Sequence, residues 1–140
     1  MFKLLTQCSH GKEEALEKEI NENVQNNLIS NVYVINGFLD LVRNGKEKKV
    51  IFVSSQSGDV EFTRVTGFAT VLGYSVAKAG MNLVMSKFSA ELAQEGIKTL
   101  SLSPGWVDTD AGQSMREANP VDTNELTQNS ESRHRRPGGT

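Results

Sequence analysis

A short run of residues that is apolar on both faces places the strongest constraint on the fold. Residues 50–53 are Val-Ile-Phe-Val, bounded by Lys49 and Ser54. A half-exposed strand alternates apolar and polar side chains, whereas a continuous run of β-branched and aromatic residues is typical of a strand buried in a parallel sheet. The run therefore predicts a parallel sheet with helices on its faces.

The segment before this strand predicts a helix. Its apolar residues are separated by alternating steps of four and three and form a single stripe: Leu28, Val32, Ile35, Leu39 and Val42. Asn44 and Gly45 mark its end, because glycine reaches the left-handed conformation that a helix C-terminus favours.

The segment after the strand predicts a loop, a second helix and a second strand. Residues 54–73 have no clean period, and loops of this length inside compact domains are usually functional. The helix is predicted to begin at Tyr74 and to close at Gly96, with its apolar stripe at Ala77, Met81, Val84, Met85, Phe88 and Leu92. Residues 98–103 alternate as a strand does, and Pro104 ends it. The order helix, strand, helix, strand implies a right-handed crossover between parallel strands.

The two ends of the chain have a different character. Residues 12–22 are charged and helix-prone, while the end of the chain has almost no apolar periodicity. We expect residues 1–26 to form a helical or irregular N-terminal segment and residues 27–112 to form the α/β unit. Residues 113–140 are expected to be a disordered tail, since they bury too little apolar surface to offset their ordering entropy.

Composition argues against several classes of partner. The formal net charge is -2, which gives no electrostatic reason to bind nucleic acid or an anionic membrane. Cys8, His10 and His134 lack the spacing of metal ligands, and the basic residues 133–136 are too few to favour nucleic-acid binding. A lone cysteine and the lack of a signal peptide or membrane-spanning run predict a cytoplasmic protein.

Tyr74 and Lys78 are the first candidates for chemistry. They lie four residues apart on a predicted helix, so both side chains project from one face. An ammonium near a phenol favours the phenolate, and a tyrosine tuned in this way exchanges protons with an alcohol or a carbonyl near neutral pH. Tyrosine and lysine at this spacing are common by chance, and the alternative is a solvated helix face.

Polar residues follow both predicted strands. Ser54 and Ser55 come directly after the first strand, and Ser103, Pro104 and Gly105 follow the second. In a doubly wound sheet, ligands bind at the carboxyl ends of the strands. A serine hydroxyl at this edge can hydrogen-bond the oxygen of a substrate, so we expect both groups to open toward one crevice.

Three motifs in this order resemble a known family. Phe-Val-Ser-Ser-x-Ser-Gly, Tyr-Ser-Val-Ala-Lys-Ala-Gly and Leu-Ser-Pro-Gly-Trp-Val-Asp-Thr are similar to the motifs of short-chain dehydrogenases/reductases. Residues 27–30 resemble the family's Asn-x-x-Gly helix entry, with Ser30 in place of glycine. The long gap from Ser55 to Tyr74 resembles the carbonyl-reductase-like and C-factor-like branch. The resemblance covers residues 27–110.

The resemblance implies a fold, a reaction and a set of roles. The fold would be a partial doubly wound, Rossmann-like parallel sheet, and the reaction hydride transfer between NAD or NADP and a small carbonyl/alcohol substrate. Tyr74 would be the general acid/base, Lys78 would assist it and hold the nicotinamide ribose, and Ser55, more than Ser54, would position the substrate oxygen. Asn27 would complete a proton relay. The nicotinamide carboxamide would be held by Pro104, Gly105, Val107 and Thr109.

The family's first βαβ half is missing from the sequence. No Gly-rich turn follows a strand, and the strand whose end would select NAD or NADP is absent, so we expect a chain truncated at its N-terminus and altered at its C-terminus. Two interpretations stay open: an NAD(P)-dependent oxidoreductase, or an inactive fragment. Such a fragment would at most self-associate, or pair with an intact relative, through helices at 28–43 and 75–95. The substrate is not readable from the sequence.

Overall fold

The computed structural model of the chain describes residues 11–105. Val107, Thr109 and the predicted 113–140 tail lie outside these residues, as do Cys8, His10 and His134. Within the described range, no helix is both long enough and apolar enough to cross a membrane.

The first third of the described chain is one continuous helical rod. Helix α1, Glu13–Val24, continues through a π-helical segment, Gln25–Ile29, into α2, Ser30–Asn44. The rod crosses the predicted boundary between residues 26 and 27 without interruption. At the end of the π segment, the hydroxyl of Ser30, the first residue of α2, donates to the carbonyl of Asn26, a side-chain bond that competes with the regular helical ladder.

The segment predicted as a loop contains helices, so that prediction was wrong in part. After strand β1, Lys49–Val53, come a 3-10 turn, Gln56–Gly58, and a short helix α3, Val60–Thr66. Asp59 caps α3 by accepting the N–H of Phe62 at 2.8 Å, and Gly67 ends it in the left-handed conformation. Seven residues are too few to display a helical period, which is why the sequence pattern missed this element.

The second half returns to the sheet. Helix α4, Leu72–Leu92, begins two residues before the predicted start, and a 3-10 turn, Ala93–Glu95, leads into strand β2, Lys98–Leu102. The strands pair in parallel, from Lys49 opposite Lys98 to Val53 opposite Leu102. The predicted parallel pairing, with helices between the two strands along the chain, is confirmed.

The core lies between one face of this sheet and helices α2 and α4. Phe52, Met81 and Met85 form its buried centre, and partly buried side chains surround them: Val32, Ile35, Val50, Val84 and Phe88. Fully burying such a side chain contributes about 1.5–3 kcal/mol. Both predicted apolar stripes therefore face the core.

The other face of the sheet is open in the described part of the chain. The side chains of Ile51 and Val53 are 59% and 57% exposed, and Leu100 and Leu102 on β2 are also exposed. The expectation that residues 50–53 are buried on both faces was wrong for Ile51 and Val53, because helices α2 and α4 cover a single side of the sheet.

Candidate active site

Lys78 is the best-anchored polar side chain of the site. It is buried on α4, and its Nζ donates to the carbonyl oxygen of Val53 at 2.8 Å. The ammonium lies 4.8 Å from the ring centre of Phe52 and 5.3 Å from that of Tyr74, within the range of cation–π attraction. Burial lowers the pKa of the Lys78 amine. An ammonium has three donors, and within residues 11–105 one of them is used, so two can serve a ligand.

Tyr74 sits one turn before Lys78 on the same face of α4. Its ring is partly buried, and α1 supports the helix just beside it. The backbone N–H of Gly73 donates to the Glu19 carboxylate at 3.3 Å. A Cβ at Gly73 would lie 2.9 Å from the carbonyl oxygen of Glu19, so the glycine allows α1 to approach the start of α4 closely. The N-terminal helix thus belongs to the support of the site.

Ser54 and Ser55 have different surroundings. Ser54 is buried, and its hydroxyl donates to Oδ1 of Asn82 at 2.7 Å. Its N–H donates to the carbonyl of Leu102 at 2.8 Å and extends the pairing of the strands. The donor of Ser54 is therefore already used, whereas Ser55 is only half-buried. Of the two residues, Ser55 is the more accessible.

The turn that carries Ser55 is pressed against α4. A Cβ at Gly58 would lie 2.8 Å from both Cβ of Lys78 and N of Ala79, which is closer than side chains approach a backbone. Only glycine allows this contact without a shift. Ser55 is thereby held against the helix turn that carries Lys78.

Asn27 lies in the π-helical segment, an irregularity that is frequent at functional sites. Its Nδ2 donates to Oδ1 of Asn23 at 3.4 Å, and its carbonyl accepts from Nδ2 of Asn31 at 3.1 Å. Among the described residues, no hydrogen bond joins Asn27 to Tyr74 or Lys78. The predicted relay role stays a prediction.

Pro104 and Gly105 follow β2 at the same sheet edge as Ser54. Both are exposed, and Gly105 has a positive φ of 74°, which glycine adopts without strain. The two other predicted carboxamide contacts, Val107 and Thr109, lie outside the described residues.

The donors present fit one end of a nicotinamide cofactor. The Tyr74 hydroxyl and the Lys78 ammonium suit a ribose, and Pro104 and Gly105 after β2 are exposed. Between residues 11 and 105, no Gly-rich turn between a strand and a helix is available for a pyrophosphate. The same range holds no group of three side chains suited to a metal ion.

Three residues of this region were missed by the sequence interpretation. Ser57 bonds Ser55, Gly58 contacts α4, and Asn82 accepts from Ser54. Ser57 and Gly58 stand within the motif Ser-Ser-x-Ser-Gly. Asn82 lies four residues beyond Lys78, so the same spacing argument that paired Tyr74 with Lys78 places it on that face.

The fold and the site define a class of protein: an α/β protein with a Tyr–Lys pair at the carboxyl edge of a parallel sheet. The sequence pattern of the short chain dehydrogenase family matches residues 6–120. The chain belongs to the short-chain dehydrogenase/reductase family, which confirms the predicted family and the α/β fold class.

The chain matches only part of the length of each relative. Short-chain dehydrogenase/reductase atnB of Arthrinium sp is 57% identical over 105 residues, 75% of this chain and 40% of that protein. Short-chain dehydrogenase/reductase AacuF of Aspergillus aculeatus is 36% identical over 107 residues, which are 76% of this chain and 39% of that protein. The chain thus spans about two fifths of these relatives.

A solved structure shows the same architecture. NADPH-bound carbonyl reductase from chicken fatty liver superposes with a TM-score of 0.62 at 26% identity, covering 68% of this chain and 40% of that one. The likeness extends the family assignment to the three-dimensional fold.

Proposed function

We propose that this chain carries the proton-transfer half of an NAD(P)-dependent oxidoreductase that interconverts a carbonyl and an alcohol. The observation that carries the proposal is the position of Lys78. Its buried ammonium lies 5.3 Å from the Tyr74 ring and is fixed to the end of β1, where Ser55 follows. An acid/base, a cation and a hydroxyl thus share one sheet edge.

In the proposed mechanism, Tyr74 donates a proton to the substrate oxygen during reduction and takes it back during oxidation. The Lys78 ammonium stabilises negative charge on the phenol oxygen. Ser55 donates a hydrogen bond to the substrate oxygen as charge develops on it. A bound nicotinamide would supply or accept the hydride.

The cofactor would be held at the same edge. Tyr74 and Lys78 are proposed to contact its ribose, with Asn27 completing the relay of protons. The carboxamide would meet residues after β2: Pro104, Gly105, Val107 and Thr109. The carbonyl reductase neighbour was solved with NADPH, so NADPH is the first cofactor to test and NADH the second. We place the protein in the cytoplasm.

The test is a pair of matched variants at the two tyrosines of the chain. Tyr74→Phe removes one hydroxyl from the site, and Tyr33→Phe removes one from an exposed position on α2. We expect the first to lower NADPH-dependent reduction of 4-nitrobenzaldehyde by about 10²- to 10⁴-fold. The second should leave the rate unchanged. Equal activity of Tyr74→Phe and the unaltered chain would overturn the role of Tyr74.

A second candidate function is association without catalysis. Its support is an apolar surface on α2 and α4, where Phe38, Leu41 and Leu83 are each more than half exposed. These residues lie in the two segments, 28–43 and 75–95, predicted to mediate self-association or pairing with an intact relative.

The two candidates give different results in sedimentation and activity assays. Association through this surface predicts a dimer that Leu41→Asp or Leu83→Asp dissociates, because a charge at a buried contact is costly. A monomer at all concentrations would contradict this second candidate and leave the catalytic one standing.

A further inference from the structure

The turn after β1 holds a pair of serine hydroxyls in direct contact. Oγ of Ser57 lies 2.9 Å from Oγ of Ser55. The backbone N–H of Ser57 also donates to Oγ of Ser55 at 3.3 Å. Ser55 therefore receives two contacts from one residue.

The number of donors and acceptors decides what Ser55 can still do. A hydroxyl has one hydrogen to donate and two lone pairs that accept. The N–H of Ser57 occupies one lone pair of Ser55. If Ser55 gave its hydrogen to Ser57, it would have none for a substrate oxygen. If Ser57 gives its hydrogen instead, both lone pairs of Ser55 are filled and its hydrogen is free.

Burial favours the second arrangement. Ser57 is 8% exposed, and among the described residues the acceptor within reach of its hydroxyl is Oγ of Ser55. A buried donor left without an acceptor loses its hydrogen bond to water and gains nothing in return, which is unfavourable. Ser55 is more exposed and has solvent or a ligand as an acceptor for its own hydrogen. The lower-energy arrangement is donation from Ser57 to Ser55.

We propose that Ser57 is a positioning residue that makes Ser55 a hydrogen-bond donor directed at the reacting oxygen. The inference rests on the proposed function, in which Ser55 meets the substrate. It adds a residue that touches no substrate and acts through Ser55. A donor oriented before the substrate arrives requires no reorganisation when negative charge develops on the oxygen.

Gly58 packs the turn that carries Ser57 closely against α4. A Cβ at Gly58 would lie 2.8 Å from Cβ of Lys78 and from N of Ala79. This packing supports the position of Ser57 beside Ser55, next to the helix that carries Tyr74 and Lys78.

The test is a double-mutant cycle on the full chain, measured as NADPH-dependent reduction of 4-nitrobenzaldehyde. Ser55→Ala should lower kcat by about 10²-fold, as loss of an oxyanion donor does. Ser57→Ala should lower kcat by about 10-fold, with KM nearly constant, because one hydrogen bond that orients the donor is lost. In the Ser55→Ala background, Ser57→Ala should change kcat by less than about 2-fold.

Three further variants separate orientation from general damage. Ser57→Thr keeps the hydroxyl and should restore at least half of kcat. Ser57→Cys fills the same space with a weak donor and should behave as Ser57→Ala, even if the alanine variant folds poorly. Ser86→Ala, which removes an exposed serine bond to the Asn82 carbonyl, is the matched control and should leave kcat unchanged.

The outcomes distinguish this inference from the proposed function. Equal effects of Ser57→Ala with and without Ser55 would overturn the positioning role, and so would an unchanged kcat in Ser57→Ala. In both cases a large loss in Tyr74→Phe would leave the proposed function intact. If the unaltered chain shows no turnover with NADPH or NADH, the proposed function fails first and the inference fails with it.

Discussion

At the scale of single residues, Lys78 combines a favourable contact with an unfavourable environment. Its ammonium donates to the Val53 carbonyl and faces two aromatic rings, but it is removed from water. Desolvation dominates, and it holds the pKa of Lys78 below the ordinary value of 10.5. A buried cation of this kind is typical of a functional position, since a stable core does not need it.

The lowered pKa of Lys78 predicts a pH dependence of stability. The folded chain loses this proton before the unfolded chain does, so the unfolded state binds more protons between the folded-state pKa and 10.5. The contribution of Lys78 to stability is therefore present above pH 10.5 and lost as pH falls through the folded-state pKa. Relative to Lys78→Met, the unaltered chain should gain stability as the pH rises toward 10.5.

Urea unfolding at pH 7, 9 and 10.5 measures this difference. Lys87→Met, at an exposed lysine of the same helix, controls for the general effect of alkaline pH. A free energy of unfolding of the unaltered chain, relative to that of Lys78→Met, that falls or stays constant as the pH rises would contradict a desolvated Lys78.

The sequence predicted some of these residues and missed others for a physical reason. Tyr74 and Lys78 are four apart on a helix, and that spacing alone places them on one face. Ser57 is found only through its contact with Ser55, and that contact depends on the fold of a three-residue turn. The choice between Ser54 and Ser55 likewise required Asn82, which is distant in sequence.

At the scale of elements, the close approach of the 3-10 turn to α4 organises the site. The turn, Gln56–Gly58, carries Ser57 and Gly58 and follows directly from Ser55. The sequence predicted the flanking strand and helix but assigned this region to a loop. Short turns held by side-chain and steric contacts have no periodic signal, so only the tertiary structure shows them.

Alanine substitutions at two glycines test this contact. Gly58→Ala places a Cβ 2.8 Å from Lys78 and Ala79 and should destabilise the fold by about 1–3 kcal/mol. Gly37→Ala, on α2 with no atom within 4 Å of the added Cβ, should stabilise it by about 0.5–1 kcal/mol. Thermal unfolding followed by circular dichroism reports both, and a neutral Gly58→Ala would refute the close packing.

At the scale of the whole molecule, the described part of the sheet is covered on one face. Parallel sheets usually have helices on both faces, and here α2 and α4 supply one layer. The continuous apolar run at 50–53 predicted two layers, and residues 11–105 supply one of them. The relatives extend over more than twice the matched length.

Neighbouring residues of β1 test the one-sided burial. Phe52→Ala should cost about 3–5 kcal/mol, because the side chain leaves a cavity in the core. Ile51→Ala, on the open face, should cost less than about 1 kcal/mol. Urea unfolding of the chain measures both, and an equal cost at the two positions would show that a further layer covers Ile51.

Calorimetric titration of NADPH and NADH into the purified chain tests the central claim most directly. We expect saturable binding of about one cofactor per chain, in the millimolar range or tighter, because the donors found within residues 11–105 suit the nicotinamide end of the cofactor. Lys78→Met should abolish the binding, and Lys87→Met should preserve it. An absence of binding of either cofactor at millimolar concentration, with the chain folded by circular dichroism, would contradict a nicotinamide-dependent site at Tyr74 and Lys78.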